Sequence, residues 1–302
     1  MIPAYWLSPL PLYLWQAALH SWIVGAIFYA WASHIRLPSG RSKRRLLAVL
    51  LVLPLLTAAV PGRSGAGFRD RVAWLDSARL LALPLPAGLR LYNVVLVVAA
   101  LTVALTVWQE ILPALRRPRT AATGIPDGLA RMARGMPGWS RCAISLTPTE
   151  AILLATSGWP GHPRLIVSRG ALAHLGEKEL LAVLRHEHAH WRGGRWISSH
   201  ALFVVRLLQC CNPVALWAFR EYCLEVEIDC DAEAVAGTDP RLLTRTLLTI
   251  YESTDRRDVA ARSSLRKRVD VLLDDRRGDD ALPVGTIAAA TLLLLLVLPW
   301  VV

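Results

Sequence analysis

The sequence predicts a mainly α-helical chain with a small β-sheet, in which four membrane-spanning helices carry one α+β domain. The first observation is that 54% of the 302 residues are hydrophobic and the mean hydropathy is +0.39, too apolar for a purely soluble domain of this size. The second is that four stretches nearly free of charge approach the roughly 20 residues needed to span hydrocarbon: 10–32, 46–60, 91–112 and 282–302. The third is a series of short apolar segments, turns and amphipathic helices between the third and fourth stretches.

These apolar stretches set the predicted domains. Residues 1–115 form a membrane domain with three spans and an outer loop at 61–90, residues 116–281 form a cytoplasmic domain, and residues 282–302 form the fourth span. The first stretch is interpreted as a retained span, because no Lys or Arg precedes it and it is too long for a cleaved signal peptide. The second stretch is the shortest and contains Pro54, so a re-entrant or surface helix is its alternative.

The net charge of +11 is compatible with nucleic-acid binding or with membrane topology. Much of the excess flanks the apolar stretches, at 36–45 and 116–119, and such clusters mark the cytoplasmic side. This places both termini outside a bacterial inner membrane and residues 116–281 inside. No basic groove with interleaved aromatic residues is present, so no nucleic-acid partner is expected. The five cysteines are odd in number and lack Cys-x-x-Cys spacing, which argues against a disulfide framework and a structural zinc site.

Three short strands are predicted at 142–146, 151–156 and 165–167, with a turn at 157–161. An exposed edge of this sheet could bind an extended peptide by adding it as a further strand. The alternative is a sheet that only packs against its neighbours.

The segment after the sheet, residues 180–194, reads LLAVLRHEHAHWRGG and is predicted to be a helix that ends at Gly193-Gly194. His186 and His190 are four residues apart, so both imidazoles project from one helix face. This is the HExxH pattern, in which two neutral imidazoles bind one Zn²⁺ ion per chain and Glu187 takes a proton from a water molecule. The alternative is a chance match on an ordinary helix, and His188 is expected to be a partly exposed bystander.

A third metal ligand is expected on the helix that follows Asn212-Pro213, predicted at 214–236 with Asn212 as its N-cap. The apolar segment 196–209 before it is predicted to lie against the membrane or on the spans, because a ligand beyond it must return to the same side. Glu227 is the predicted ligand, since it flanks the apolar stripe, and Asp231 one turn on is a candidate acceptor for a ligating imidazole N–H. The pair Glu225 and Asp229 has the same spacing and remains the alternative. The four acids in a row at every fourth position are interpreted as a solvated face: Glu221, Glu225, Asp229 and Glu233.

Two amphipathic helices are predicted further on, at 242–251 and 264–273. The basic residues Arg266, Lys267 and Arg268 on the second helix are expected to be solvated or to contact lipid headgroups.

In these motifs the chain resembles the M56 peptidases, membrane zinc metallopeptidases related to the β-lactam sensor-transducers BlaR and MecR. The family pattern is an HExxH helix, an apolar helix ending in Asn-Pro, and a helix with Glu-x-x-Cys-Asp-Ala, found here at 186–190, 212–213 and 227–232. The resemblance implies a gluzincin domain on the cytoplasmic side of a four-span bundle, with His186, His190 and Glu227 as zinc ligands and Glu187 as catalytic base. The sensor-transducers continue into a penicillin-binding domain that is not expected here, so antibiotic sensing by acylation is not implied.

The predicted function is therefore a membrane-embedded zinc endopeptidase in regulatory proteolysis, with a cytoplasmic or membrane-proximal protein such as a transcriptional repressor as its substrate. One alternative is a protease of membrane-protein quality control, similar to the M48 peptidases. Another is a non-enzymatic signalling or scaffold protein with structural zinc. The lipid bilayer, and a membrane partner or second copy of the chain, are the other partners expected.

Overall fold

The structure is a computed structural model of the 302-residue chain. It describes residues 9–34, 40–59, 77–112, 125–159, 161–236, 239–253 and 259–273, together with residues 291, 292 and 294.

The described residues are mainly helical, with a small three-stranded sheet, as the sequence predicts. The helices are α1 (Pro9–His34), α2 (Arg41–Ala59), α3 (Ser77–Leu81), α4 (Leu91–Thr106), α5 (Asp127–Arg134), α6 (Arg169–His174), α7 (Glu177–Arg192), α8 (Arg195–Leu208), α9 (Pro213–Ala234), α10 (Pro240–Ser253) and α11 (Val259–Leu273). A 3₁₀ turn lies at Pro86–Gly88, and a π-helical turn at Val107–Ile111 follows α4. The strands are β1 (Ala143–Thr147), β2 (Leu154–Trp159) and β3 (His162–Ser168).

The four-span part of the predicted fold is wrong. Within the described residues, no helix combines the length and the apolarity that crossing a membrane requires. Helix α1 is long enough but contains Gln16, His20 and Ser21, and α2 begins with four basic residues in its first five positions. Helix α4 has 16 residues, about 24 Å at a rise of about 1.5 Å per residue, before the π-helical turn. The fourth stretch, 282–302, lies outside the described residues except at 291, 292 and 294, as do residues 61–76 of the predicted outer loop.

The chain divides into two compact units. Unit 1 comprises Met1–Arg116, His200–Cys223 and Asp279–Val302, and unit 2 comprises Arg117–Ser199 and Leu224–Gly278. Helices α8 and α9 each contribute to both units. The predicted domain borders stay a prediction: unit 2 falls within 116–281, but residues 200–223 of that segment belong to unit 1.

Unit 1 is built on the pairing of α1 with α2. Trp15, Leu19 and Leu81 form one buried cluster, and His20 Nδ1 lies 2.8 Å from Thr57 Oγ1 inside the unit. The apolar segment predicted at 196–209 forms α8, and Gln209 just after it donates from Nε2 to the Leu51 carbonyl at 2.8 Å. Asn212 accepts the Val214 N–H at 3.0 Å, so the predicted N-cap of α9 is confirmed.

Unit 2 contains the sheet and the HExxH helix. The strand order is β1-β3-β2, with β1 parallel and β2 antiparallel to β3. The strands form where short apolar segments meet turn residues, and Gly161, at a φ of 84°, allows the tight turn between β2 and β3. Trp139, Leu165, Val167 and Leu184 are fully buried in the core that joins this sheet to α7. That core fixes where α7 lies against β2.

Helix α7 ends at the glycines that the sequence predicts and begins three residues before the predicted residue 180. Glu177 and Glu179 occupy the first turn, where negative charge is favourable, and the Glu179 carboxylate accepts the Gly176 N–H at 2.9 Å. The helix ends before Gly194, whose φ of 62° lies in the left-handed region. The residues that share the helix face of His186, namely Ala182, Val183 and Ala189, are buried as well, so the face that carries the imidazoles also packs inside the unit.

Candidate metal centre

Three side chains from two helices of unit 2 converge on one point. His186 and His190 project from α7, and Glu227 projects from α9. Their ligand atoms all lie within 4.8 Å of one another, and among the described residues this is a group of three with no fourth member.

The distances between these atoms fit a tetrahedral metal site. The two Nε2 atoms are 3.2 Å apart, His186 Nε2 lies 3.3 Å from Glu227 Oε2, and His190 Nε2 lies 3.3 Å from Glu227 Oε1. A tetrahedron with metal–ligand bonds of about 2.05 Å has edges of about 3.3 Å, the spacing found here. Two imidazoles and one carboxylate are also the donor set of hydrolytic zinc sites that leave one position open. The three residues therefore fit a zinc ion.

Asp231 lies beside the other ring nitrogen of His186, Nδ1. His186 Nδ1 lies 2.8 Å from Asp231 Oδ1, although the ring N–H is not aligned well enough on that oxygen to form a good hydrogen bond. Burial disfavours a charged His186, but the interactions with Asp231 and Glu227 outweigh burial and raise its pKa to about 10. Without a metal, the imidazole is therefore protonated at neutral pH and placed between two carboxylates.

Arg268 on α11 contacts both the Asp231 and the Glu227 carboxylates. Its Nε and Nη2 both donate to Asp231, each at 2.7 Å, and its Nη1 lies 3.0 Å from Glu227 Oε2. Burial would raise the pKa of Asp231, but His186 and Arg268 hold that pKa below its usual range. Burial likewise opposes the charge on Glu227, and its contacts with His186 and His190 hold its pKa well below the usual range. Both acids are thus ionised at neutral pH.

Thr156 on β2 holds Glu187. The backbone N–H and the side-chain hydroxyl of Thr156 both donate to Glu187 Oε2, each at 2.9 Å. Hydrogen bonds to a charged acceptor are among the stronger ones in proteins, and two of them fix the orientation of the carboxylate. The other oxygen, Oε1, takes no part in this contact.

A cavity of about 550 Å³ is lined by Glu227 of this group and by Arg268. Six of its lining residues are apolar: Ala151, Ile152, Leu153, Leu247, Ile250 and Leu265. Thr149, Tyr251 and Ser264 add polar groups. Most small-ligand sites have this composition, with apolar walls and a few polar groups.

Two expectations for neighbouring residues are wrong. His188 is buried, with Nε2 2.8 Å from the Pro137 carbonyl and its ring edge-on to Trp139, because α7 packs on the segment before β1. Glu225 is only 3% exposed, so the acidic row on α9 is not a uniformly solvated face. Glu225 and Asp229, the alternative ligand pair, do not belong to the three-residue group among the described residues.

The structure brings the predicted residues His186, His190, Glu227 and Asp231 together, and the side chain of Glu187, the residue after His186, contacts Thr156 on β2. It also adds two residues that the sequence did not indicate. Arg268, expected at the surface, has a side chain only 15% exposed. Its position on the apolar stripe of α11, three residues after Leu265 and four before Leu272, is a signal that could have revealed it. No local pattern distinguishes Thr156.

These features define a metallopeptidase-type site on an α+β unit. A comparison with known protein families agrees with this class, because the family model described as BlaR1 peptidase M56 matches residues 90–272 of the chain. The chain belongs to the M56 peptidase family. Members of this family are typically metal-dependent and are typically membrane proteins. No curated protein matches the chain.

Proposed function

We propose that this chain is a zinc metallo-endopeptidase that cleaves a cytoplasmic or membrane-proximal protein in regulatory proteolysis. The observation that carries the proposal is the His186–His190–Glu227 group, whose 3.2–3.3 Å spacings suit tetrahedral zinc. Glu187, the proposed base, directly follows His186 on α7. A structural zinc site usually supplies four protein ligands, and the described residues supply three. This favours the peptidase over the scaffold alternative.

In the proposed mechanism, each residue has a distinct task. When bound, zinc supplies Lewis acidity, which polarises a peptide carbonyl and makes a water molecule more acidic. Glu187 accepts the proton of the attacking water and then delivers it to the departing amine. Asp231 lies 2.8 Å from His186 Nδ1, which leaves Nε2 for the ligand group, and Arg268 donates two hydrogen bonds to Asp231.

We propose that the substrate binds as an extended segment along β2. This strand is an edge of the described sheet, and its Thr156 contacts Glu187, so a peptide added to it passes the proposed base. The cavity next to Glu227 would take a large apolar side chain near the scissile bond, because six of its lining residues are apolar. A transcriptional repressor fits this role if it exposes such a segment. Turnover of damaged membrane proteins is the alternative substrate class.

The test uses the purified full-length protein, loaded with one equivalent of zinc and incubated with β-casein. Glu187→Gln is expected to keep its zinc and to lose at least about 100-fold in cleavage rate, the contribution of a general base. Glu177→Gln, on the first turn of the same helix, is the matched control and is expected to cleave at the wild-type rate. Equal cleavage by Glu187→Gln would rule out the mechanism, and tight zinc binding without wild-type cleavage would favour the scaffold.

We also propose that the chain acts at the bacterial inner membrane, on the ground that members of its family are typically membrane proteins. Fractionation of cells expressing the tagged chain tests this. Recovery in the membrane pellet after a salt wash is expected, and recovery in the supernatant before any wash would contradict it.

A further inference from the structure

The backbone of β2 presents alternate residues to opposite sides. Ser168 N–H donates to the Leu153 carbonyl at 2.9 Å, so in residues 153–159 the backbone N–H and C=O groups of the odd-numbered residues point towards β3. Thr156 N–H instead donates to Glu187, away from β3. Because neighbouring residues of a strand direct their backbone groups to opposite sides, Leu154 and Gly158 share the outer edge with Thr156.

Of the three backbone N–H groups on this outer edge, the middle one, that of Thr156, already donates to the Glu187 carboxylate. A peptide that pairs with β2 cannot give a carbonyl to Thr156 N–H while Glu187 Oε2 accepts it at 2.9 Å. It can still pair with Leu154 and Gly158 on either side. The hydrogen bonds between β2 and the peptide would thus lack one bond, at Thr156, and the missing bond lies beside the proposed base.

We propose that Thr156 is a positioning residue that sets the substrate register as well as the orientation of Glu187. The proposal rests on the proposed peptidase function. An extended peptide pairs through Leu154 and Gly158, and the peptide carbonyl opposite Thr156 receives no hydrogen bond from β2. That carbonyl is the scissile one, because it lies beside Glu187, one residue from the metal ligand His186.

The Thr156 hydroxyl completes this arrangement. It donates to Glu187 Oε2 at 2.9 Å, alongside the backbone N–H, so both bonds bind the same carboxylate oxygen. Oε1 is left for the water molecule and for the amine that leaves. Removing the hydroxyl keeps the backbone bond but lets the carboxylate rotate about it, so the chemical step slows while peptide pairing along the edge remains.

The first experiment compares Thr156→Val, which keeps the side-chain shape, with Thr156→Ser, which keeps the hydroxyl. The substrate is a quenched fluorescent peptide copied from the main β-casein cleavage site of the wild-type protein. Thr156→Val is expected to lower kcat about tenfold, the effect of losing one hydrogen bond to a charged group, and to change KM less than twofold. Thr156→Ser is expected to restore kcat to within twofold of wild type, with one zinc bound in every variant.

Thr147→Val is the matched control, because Thr147 lies in the same sheet, on β1, and its buried hydroxyl finds no hydrogen-bond partner among the described residues. It is expected to retain the wild-type kcat. A wild-type kcat in Thr156→Val, or a loss that Thr156→Ser does not recover, would overturn the role of Thr156 while leaving the peptidase function intact. No cleavage by the wild-type protein would overturn both.

The second experiment tests the register with the wild-type protein and needs no variant that could fail to fold. Two copies of the peptide are made, each with one N-methylated amide, which cannot donate a hydrogen bond. Methylation two residues before the residue that supplies the scissile carbonyl removes a donor that faces β2 and is expected to raise KM at least fivefold. Methylation one residue before it removes a donor that faces away and is expected to leave KM unchanged. The reverse pattern, or equal effects, would overturn the register.

Discussion

Arg268 is the residue whose removal best tests the architecture of the site. Asp231, at 1% exposure, receives two hydrogen bonds of 2.7 Å from Arg268. Arg268→Met removes the guanidinium but keeps much of the side-chain volume, so it leaves a buried carboxylate without its main partner. Breaking a buried ion pair from one side typically costs about 3–5 kcal/mol. We expect about 3 kcal/mol, the lower end, because His186 remains 2.8 Å from Asp231.

The measurement is urea unfolding of the zinc-free full-length protein, followed by circular dichroism. Arg266→Met is the matched control: it lies on the same helix, its side chain is 85% exposed, and its pair with Asp270 spans 3.9 Å. Exposed pairs contribute about 0–1 kcal/mol, so little change in unfolding free energy is expected. Adding Asp231→Asn to Arg268→Met removes the orphaned charge and should recover part of the loss.

The reasoning would be refuted if Arg268→Met unfolded at the same urea concentration as Arg266→Met. It would also fail if Asp231→Asn destabilised the Arg268→Met protein as much as it destabilises the wild-type protein. The effects of the two substitutions would then be independent of each other. Either result would mean that Arg268 does not neutralise Asp231.

The remaining predictions concern protons, metal and substrate. In the zinc-free protein the pKa of His186 is raised from its usual 6.5 to about 10, so its stabilising contacts are fully present below pH 6.5 and are lost as the pH rises through about 10. Zinc needs the neutral imidazole, so zinc binding near pH 8 should release about one proton from His186. Calorimetry of zinc binding in two buffers of different ionisation enthalpy measures this proton release. Identical binding heats in the two buffers would contradict a protonated His186 in the zinc-free protein. In the cavity, Leu265→Trp should reduce space and shift β-casein cleavage toward sites with smaller side chains, as read by mass spectrometry. Unchanged cleavage sites would mean that the cavity does not receive the substrate.

The local features of the site follow from sequence periodicity. The four-residue spacing of His186 and His190 places both imidazoles on one face of α7, whichever fold surrounds the helix. The first-turn acids and Gly194 mark its two ends. The strands were predicted within about three residues of their observed positions, but the predicted turn at 157–161 was too long, because residues 157–159 pair with β3 as part of β2.

The predicted spans failed for a different reason. Counting uncharged residues ignores where helices begin and which polar groups they carry. Helix α2 begins at Arg41 and takes in Lys43, Arg44 and Arg45, and α1 encloses His20 at 0% exposure. The observed helices are therefore shorter or more polar than the apolar stretches suggested.

The sequence by itself determined that two imidazoles and an acid lie within one helical turn, and that a second helix offers several carboxylates. Only the tertiary structure decided that Glu227, rather than Glu225, lies 3.3 Å from both rings, and that Arg268 and Thr156 hold the acids around them. The physical reason is distance along the chain. A helix fixes the directions of its own side chains, but contacts across 31 or 37 residues depend on how whole helices and strands pack.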